Sequence, residues 1–488
     1  MSYKTRKIQQ GCCASGRYAG RMKTVSHATL VIAALALALP CSPVHAQTLP
    51  RRAALGAKLG PATGGVAILE VLPGATAQQL GITSGDIIVS IDGQPTDNPL
   101  AVVRAMEPLR GGDPIRIDYR RGDANRTANG KAASRPLESY PNATVKYGAY
   151  AFKGGAIRDI LVMPAGRPDA PVVFFLQGYT CASIEAGDPF GLYGGLAKGF
   201  ADAGIGFYRV EKPGMGDSRG GVRCEDIDYA TELDAYRTAY HHLVQDLGVS
   251  PDRIFLYGHS LGGLQAPMLA AENPPRGVAV YGTVLKDWAA YSDDLAVFQN
   301  FLINGADPVD EEAKYAKRAV ILRHFYLDRW SPERIVAADP AAAQALREMV
   351  GWDGGNHAFG RSYVFAQDLP GLPLIKAWRD AKSNVLSLYG ASDEVALFDT
   401  DQRMIAEVVN WYRPGTARFM SVPDTMHAMD LVGDRDAFRR RNMSAGGLKF
   451  GMFNPKVLEP IVAWIRDSMA SPPVRTRSFT TPGERPTP

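Results

Sequence analysis

The chain has 488 residues, too many for one small domain and enough for two folded units. Its hydrophobic share of 46% and charged share of 21% are those of an ordinary soluble globular protein. The 54 basic and 50 acidic residues nearly balance, and no basic run longer than three residues occurs beyond the first 46, which argues against a nucleic-acid partner.

The first 46 residues stand apart. They hold six basic residues (Lys4, Arg6, Lys7, Arg17, Arg21, Lys23) and no acidic ones, then an apolar run over residues 28–39 and Val44-His45-Ala46. A charged start, a short apolar stretch and small residues at the end predict a secretory signal peptide cut after Ala46, with Met1 or Met22 as the start. Twelve apolar residues are too few to span a bilayer, so no stable membrane span is expected. Lipid attachment through Cys41 is disfavoured, because Pro40 stands where a small residue belongs. Without this segment the formal charge becomes −2, and two cysteines of five remain, Cys181 and Cys224. An even count in an exported chain permits one disulfide, with two free thiols as the alternative.

Residues 51–123 read as short strands split by turns at Pro73-Gly74 and Asp92-Gly93, with a helix over 99–109 and a last strand over 114–119. The runs Gly65-Val66-Ala67-Ile68-Leu69-Glu70-Val71, Pro73-Gly74-Ala75-Thr76-Ala77, Leu80-Gly81-Ile82 and Gly85-Asp86-Ile87-Ile88 through Ile91-Asp92-Gly93 resemble a PDZ domain of the kind that accompanies bacterial proteases. The resemblance implies capture of a peptide as an added strand, with its C-terminal carboxylate held by the backbone of Leu55-Gly56-Ala57. The alternative is a docking or regulatory domain without a free peptide ligand. Residues 123–139 are polar, lack periodicity and read as a linker.

Residues 143–163 predict a hairpin around Lys153-Gly154-Gly155, and Pro171-Val172-Val173-Phe174-Phe175-Leu176 a strand buried on both faces. Helix-compatible sequence at 193–203, a strand at 207–210 and a helix at 229–247 follow. Next, Ile254-Phe255-Leu256 leads into Gly258-His259-Ser260-Leu261-Gly262 and a helix from Leu264. Strand, G-x-S-x-G and helix in that order mark Ser260 as a nucleophile on a tight turn. A second match, Gly216-Asp217-Ser218-Arg219-Gly220, follows a loop and opens no helix, so it reads as a glycine-rich loop. Strands at 278–284, 384–389 and 418–422 complete an alternating pattern that predicts a mainly parallel sheet between helices.

Over residues 143–469 the chain resembles the α/β-hydrolase superfamily, on the strength of the 258–262 motif and Pro213-Gly214-Met215-Gly216-Asp217-Ser218. The resemblance implies a triad in the order serine, acid, histidine. Asp393, three residues past Gly390, fits the acid, with Glu394 as fallback. Only His427 follows it; His27 and His45 leave with the signal, and His259 lies in the elbow. The remaining histidines, His241, His242, His324 and His357, precede the acid. The oxyanion donors implied are the backbone N–H groups of Leu261 and of Tyr179, where Gln177-Gly178 replaces the family's usual His-Gly. Cys181 and Cys224 fall on neighbouring loops at the carboxyl edge, which favours their disulfide.

Residues 286–382 form the expected cap, rich in Trp288, Tyr291, Phe298, Phe301, Phe325, Trp330, Trp352 and Phe359, with most rings expected in the cap's own core. Asp293-Asp294 and Glu311-Glu312 match either a hold for a peptide's amino end or solvated helix faces. Residues 471–488, rich in Pro, Thr and Arg, read as disordered. No metal-ligand spacing occurs and the chemistry requires no cofactor. The expected activity is that of an exported serine hydrolase acting on an ester. A peptidase of the same fold and a non-catalytic PDZ scaffold are the alternatives.

Overall fold

The computed structural model of the chain describes residues 49–187, 191–445 and 451–474. The expected signal segment and all but four residues of the expected disordered tail lie outside them.

The first module is a six-stranded antiparallel sheet in the order Ala57–Ala62, Gly65–Val71, Ile87–Ile91, Pro114–Arg121 and Ala124–Lys131, with Gln94–Pro95 paired to Ile87–Ile91. Val66, Ile68, Ile82, Ile88, Ile91 and Ile117 are buried together with Val102 of the helix Pro99–Met106. That helix starts where it does because the Asn98 side chain accepts the Ala101 N–H and Pro99 occupies the first turn, where a missing donor costs nothing. Asp86 is buried and accepts two hydrogen bonds from Arg121, at 2.8 and 2.7 Å, which ties the Gly85-Asp86 turn to the sheet.

The reading of residues 123–139 as a linker is corrected. Ala124–Lys131 is a strand, paired with Pro114–Arg121 in unbroken register from Pro114↔Lys131 to Arg121↔Ala124. Only Ala128 in it is buried, so the apolar alternation that betrays a strand is missing. Main-chain hydrogen bonds carry the pairing, and side-chain polarity does not report them.

The second module is a nine-stranded sheet. The hairpin Ala143–Phe152 and Gly155–Pro164 turns at Lys153-Gly154, as expected, and is antiparallel to Gly206–Val210. From there the strands Gly206–Val210, Val172–Leu176, Ile254–His259, Gly277–Tyr281, Asn384–Gly390 and Ala417–Val422 lie side by side in parallel. The first four of these are buried at every residue, because helices cover both faces of the sheet. One apolar core gathers Phe174, Tyr208, Leu256 and Val278, and the other Phe175, Phe207, Phe255 and Trp464. The cap has its own core around Phe325, Ile335, Leu346 and Trp352.

The modules are laced together by charge. Arg51 is ion-paired to both Glu185 and Asp217, and its guanidinium lies over the Tyr147 ring. The Arg52 N–H donates to Asp217 at 2.7 Å, and Arg158 reaches the same carboxylate. Asp217 is the second residue of the other G-x-S-x-G match. It is buried, and the neighbouring Ser218 hydroxyl accepts the Arg158 N–H at 3.1 Å, so that copy is a structural loop.

Cys181 and Cys224 are joined, their Cα atoms 5.8 Å apart, and the bridge ties the loop after Val172–Leu176 to the loop after Gly206–Val210. The paired residues are 43 apart in sequence. Chain entropy alone then assigns the bridge about 4 kcal/mol at 25 °C. Cys224→Ser is expected to lower the urea unfolding midpoint accordingly, whereas an unchanged midpoint would mean the bridge does not form in the folded protein.

Candidate active site

Ser260 sits at φ +54°, in the left-handed region, between the strand Ile254–His259 and the helix Gly262–Glu272. A non-glycine residue is held there only when its surroundings force it. The neighbouring glycines are forced as well. A Cβ on Gly258 would lie 2.4 Å from the Gly262 carbonyl oxygen, and one on Gly262 would lie 2.2 Å from the Leu176 oxygen. The Ser260 N–H is bonded to Tyr281 O at 2.9 Å on the adjacent strand, which anchors the turn to the sheet.

Asp393 follows the strand Asn384–Gly390 and is fully buried. Its Oδ1 accepts the N–H groups of Val395 and Ala396, at 2.8 and 2.7 Å, and both its oxygens lie 3.0 Å from His427 Nδ1. A carboxylate only accepts, so the proton is on Nδ1, and Nε2 keeps its lone pair for a substrate-side proton. Burial pulls the His427 pKa down, but the charge and hydrogen bond of Asp393 outweigh it, and the imidazolium is favoured above its usual range. Glu394, the fallback acid, does a different job. It accepts the His427 backbone N–H at 2.9 Å, and burial together with the Asp393 charge pushes its own carboxyl up to about 7.

His259 cannot be the base. Its Nε2 donates to the His427 carbonyl at 2.8 Å, and burial followed by the nearby His427 pushes its pKa down to about 3. It braces His427 from behind as a neutral ring.

Gly282 was not singled out from sequence. A Cβ there would lie 2.8 Å from Asp393 Oδ2 and 2.9 Å from His427 Nδ1, inside the contact between the two side chains. Its φ of +59° and its position just past the strand Gly277–Tyr281 are the only signals, and neither is visible in an isolated glycine.

The loop after Val172–Leu176 passes directly over the elbow. A Cβ on Gly178 would come within 3.1 Å of the Ser260 Cβ. Among the described residues, the backbone N–H groups of Leu261 and Tyr179 have no hydrogen-bond partner. The peptide that carries the Tyr179 N–H is gripped from its far side. Lys212 Nζ donates to Gly178 O at 2.6 Å and Tyr179 O at 3.3 Å, and Arg361 Nη1 donates to Tyr179 O at 3.0 Å. Both cations meet the carboxylate of Glu232, at 3.2 and 2.6 Å. Burial alone would raise the Glu232 carboxyl, but the charges of Lys212 and Arg361 hold it below its ordinary range. Burial pulls the Lys212 ammonium down to about 7. No spacing in the sequence announces this group, since Arg361 arrives from the cap.

The cap reaches the elbow with apolar side chains. Tyr291, Phe365 and Leu374 are buried against Leu261 and Leu264, with Trp288 and Tyr179 packed on them. Phe359 and Phe365 meet the Tyr179 ring edge-on, at 6.1 and 5.5 Å between centroids. One member of each acidic pair of the cap is in use: Asp294 pairs with Lys286 at 2.6 Å and Glu311 with Lys314 at 2.5 Å. No group of three or more His, Cys, Asp or Glu among the described residues is arranged to hold a metal ion.

In the first module Ala57–Ala62 is an edge strand, and the N–H groups of Leu55 and Gly56 have no partner among the described residues. Gly56 has φ +66°, and a Cβ there would strike the Ala75 Cβ at 1.9 Å. Leu100 and Val103 on the helix Pro99–Met106 are exposed. A free strand edge, two idle donors and an apolar helix face are the parts a captured peptide end requires.

The Lys212 grip generates a prediction. Lys212→Met releases the Gly178–Tyr179 carbonyls, and kcat on an aryl ester is expected to fall about 10²-fold with little change in KM, the loss typical of one oxyanion donor. Equal kcat in the variant would mean that this clamp does not set the donor's direction.

A PDZ-domain family model matches residues 68–121, and the model described as serine aminopeptidase, S33, matches residues 185–314. The chain is 31% identical over 118 residues to the multifunctional-autoprocessing repeats-in-toxin protein of Vibrio cholerae, a stretch covering 24% of this chain and 2% of that one. It is 35% identical over 63 residues to a Synechocystis protein with the provisional designation serine protease HhoA, covering 13% of this chain and 16% of that one. The chain thus spans only a small fraction of the curated relatives it matches. Among solved structures, Est1E from Butyrivibrio proteoclasticus superimposes at 13% identity and a TM-score of 0.40, over 67% of this chain and 99% of that one. Proline iminopeptidase from Mycobacterium smegmatis does so at 14% identity and 0.39, over 67% and 99%. With the two family models falling on the two folded modules, and with the sheet order and serine elbow described above, the chain has a PDZ domain followed by a domain with the α/β-hydrolase fold.

Proposed function

We propose that the chain is an exported serine hydrolase that cleaves carboxylic esters. The observation that carries this reading is the Asp393–His427 pair, 3.0 Å apart, on loops beside the strained Ser260 elbow. His427 Nε2 takes the Ser260 proton as the hydroxyl oxygen adds to the ester carbonyl. The Leu261 and Tyr179 N–H groups then hold the resulting oxyanion. The imidazolium returns its proton to the leaving alcohol, and a water molecule clears the acyl-enzyme by the same steps. Asp393 orients the ring and favours its charged form without itself taking the proton.

The description of the matching family supplies the second reading, an aminopeptidase. A free peptide amino end needs an unengaged carboxylate. Asp294 and Glu311 are already held by cap lysines, whereas Asp293 and Glu312 have no ion pair among the described residues; the rings above Leu261 suit an apolar acyl group, and it is this apolar lining that favours the ester reading. Export is supported by the charge and apolar pattern of residues 1–46 together with the Cys181–Cys224 bridge. The Leu55-Gly56-Ala57 loop and the edge strand after it would hold the C-terminal end of a peptide partner.

Purified protein assayed on p-nitrophenyl esters and on aminoacyl p-nitroanilides is expected to favour the esters, and Ser260→Ala to lose about 10⁴-fold or more in kcat. Hydrolysis of the anilides alone would install the peptidase reading. Equal activity in Ser260→Ala would remove both.

The base must be neutral to act, so kcat/KM is expected to fall as pH drops through the raised His427 pKa. Glu394 adds to that elevation through the charge it carries above its own raised pKa of about 7, so its effect falls on the upper part of the limb. Glu394→Gln removes the charge and is expected to move the acidic limb to lower pH. A limb that stays in place would assign it to another group.

A further inference from the structure

Between the two modules lies a cavity of about 450 Å³ whose lining is dominated by one kind of side chain. Arg52 and Arg110 enter it from the PDZ domain, and Arg219 and Arg223 from the loop after Gly206–Val210; Glu107 is the only acidic residue in the lining. The charge facing the cavity is therefore +3. Arg52 meets Glu107 at 3.2 Å, and Arg110 Nη1 donates only to the carbonyls of Glu107, Pro108 and Leu109. Arg223 has Glu225 at 3.5 Å, and Arg219 has no ion pair among the described residues. The Nε atoms of Arg52 and Arg110 are both buried without a hydrogen-bond partner. Burial, followed by the positive charges of Arg52 and Arg219, lowers the Arg110 pKa, as expected when guanidinium groups face one another across a small space. The buried carboxylate of Asp217 is already spent on Arg51, Arg158 and the Arg52 N–H.

Like charges gathered from two domains around one cavity call for a counterion. We propose that this cavity binds a compact multivalent anion of the phosphate class. A carboxylate offers two oxygens in one plane, whereas the four guanidinium groups come from two different domains. A phosphate group offers three acceptor oxygens in three dimensions and close to two charges. The volume falls in the range of small-molecule sites and exceeds what a bare ion fills, so it leaves room for a phosphate ester. The site is separate from the peptide-end loop, because Leu55, Gly56 and Ala57 do not line it. Bound there, the anion bridges Arg52 and Arg110 to Arg219 and Arg223, and it fastens the PDZ domain to the loop that also carries Lys212.

The test is binding and thermal unfolding of the whole chain with inorganic phosphate, pyrophosphate and glycerol 3-phosphate, against sodium chloride at matched ionic strength. At least one phosphate compound is expected to bind and to raise Tm above the chloride control, since a ligand that binds only the folded state stabilises it. Tighter binding of glycerol 3-phosphate assigns an esterified ligand, and tighter binding of the inorganic ions a free one. Arg219→Gln with Arg223→Gln, both at exposed positions, is expected to weaken binding about ten-fold or more. Arg110→Lys keeps a charge but loses the fork, and it should give an intermediate loss. No effect beyond chloride in the parent protein, or equal binding in the double variant, overturns the proposal. Neither readout uses hydrolysis, so the result does not depend on the ester assignment.

Discussion

The parallel alignment of six neighbouring strands is the constraint on which the rest of this molecule depends. In a parallel sheet every carboxyl end opens onto the same rim, so loops distant in sequence are delivered to one place. The Val172–Leu176 strand delivers the Gly178–Tyr179 peptide, and Ile254–His259 delivers Ser260. Gly277–Tyr281 delivers the Gly282 gap, Asn384–Gly390 delivers Asp393, and Ala417–Val422 leads to His427. The sheet supplies convergence. Buried polar contacts then fix the angles: two backbone N–H groups on Asp393, Glu394 on the His427 backbone, and His259 against its carbonyl.

A second layer acts on the Gly178–Tyr179 peptide. Lys212, Glu232 and Arg361 join three parts of the chain: a core loop, a core helix and the cap. The Glu232 carboxylate meets both cations, and their spare donors hold the Gly178 and Tyr179 carbonyls. The disulfide ends beside the same group, since Arg361 also bonds the Cys224 carbonyl at 3.2 Å. Cap, disulfide and the Gly178–Tyr179 loop are thereby fastened as one piece. The Arg51–Asp217 contact continues that fastening from the Lys212 loop into the PDZ domain.

Much of this was legible in the sequence because it rests on local rules. The elbow is a five-residue pattern between an apolar run and a helix. The order of serine, acid and histidine left one histidine to choose. The disulfide followed from two loops that the strand order makes neighbours. The strand Ala124–Lys131 was illegible for a physical reason: an exposed edge strand needs no apolar face, and backbone pairing leaves no mark on polarity. Gly282 and the Lys212–Glu232–Arg361 group were hidden because their meaning lies in long-range contact. The arginine cavity was hidden in the same way, as Arg52 and Arg219 are 167 positions apart in sequence.

The account stands on Ser260 being the reactive hydroxyl at the end of an ordered charge path. Its most direct test is mass spectrometry of the protein after brief exposure to a fluorophosphonate, in the parent and in His427→Ala. A single adduct on the peptide that contains Ser260, slowed by orders of magnitude when His427 is absent, is the predicted result. An adduct on Ser218, or an adduct on Ser260 formed just as fast without His427, would contradict the account.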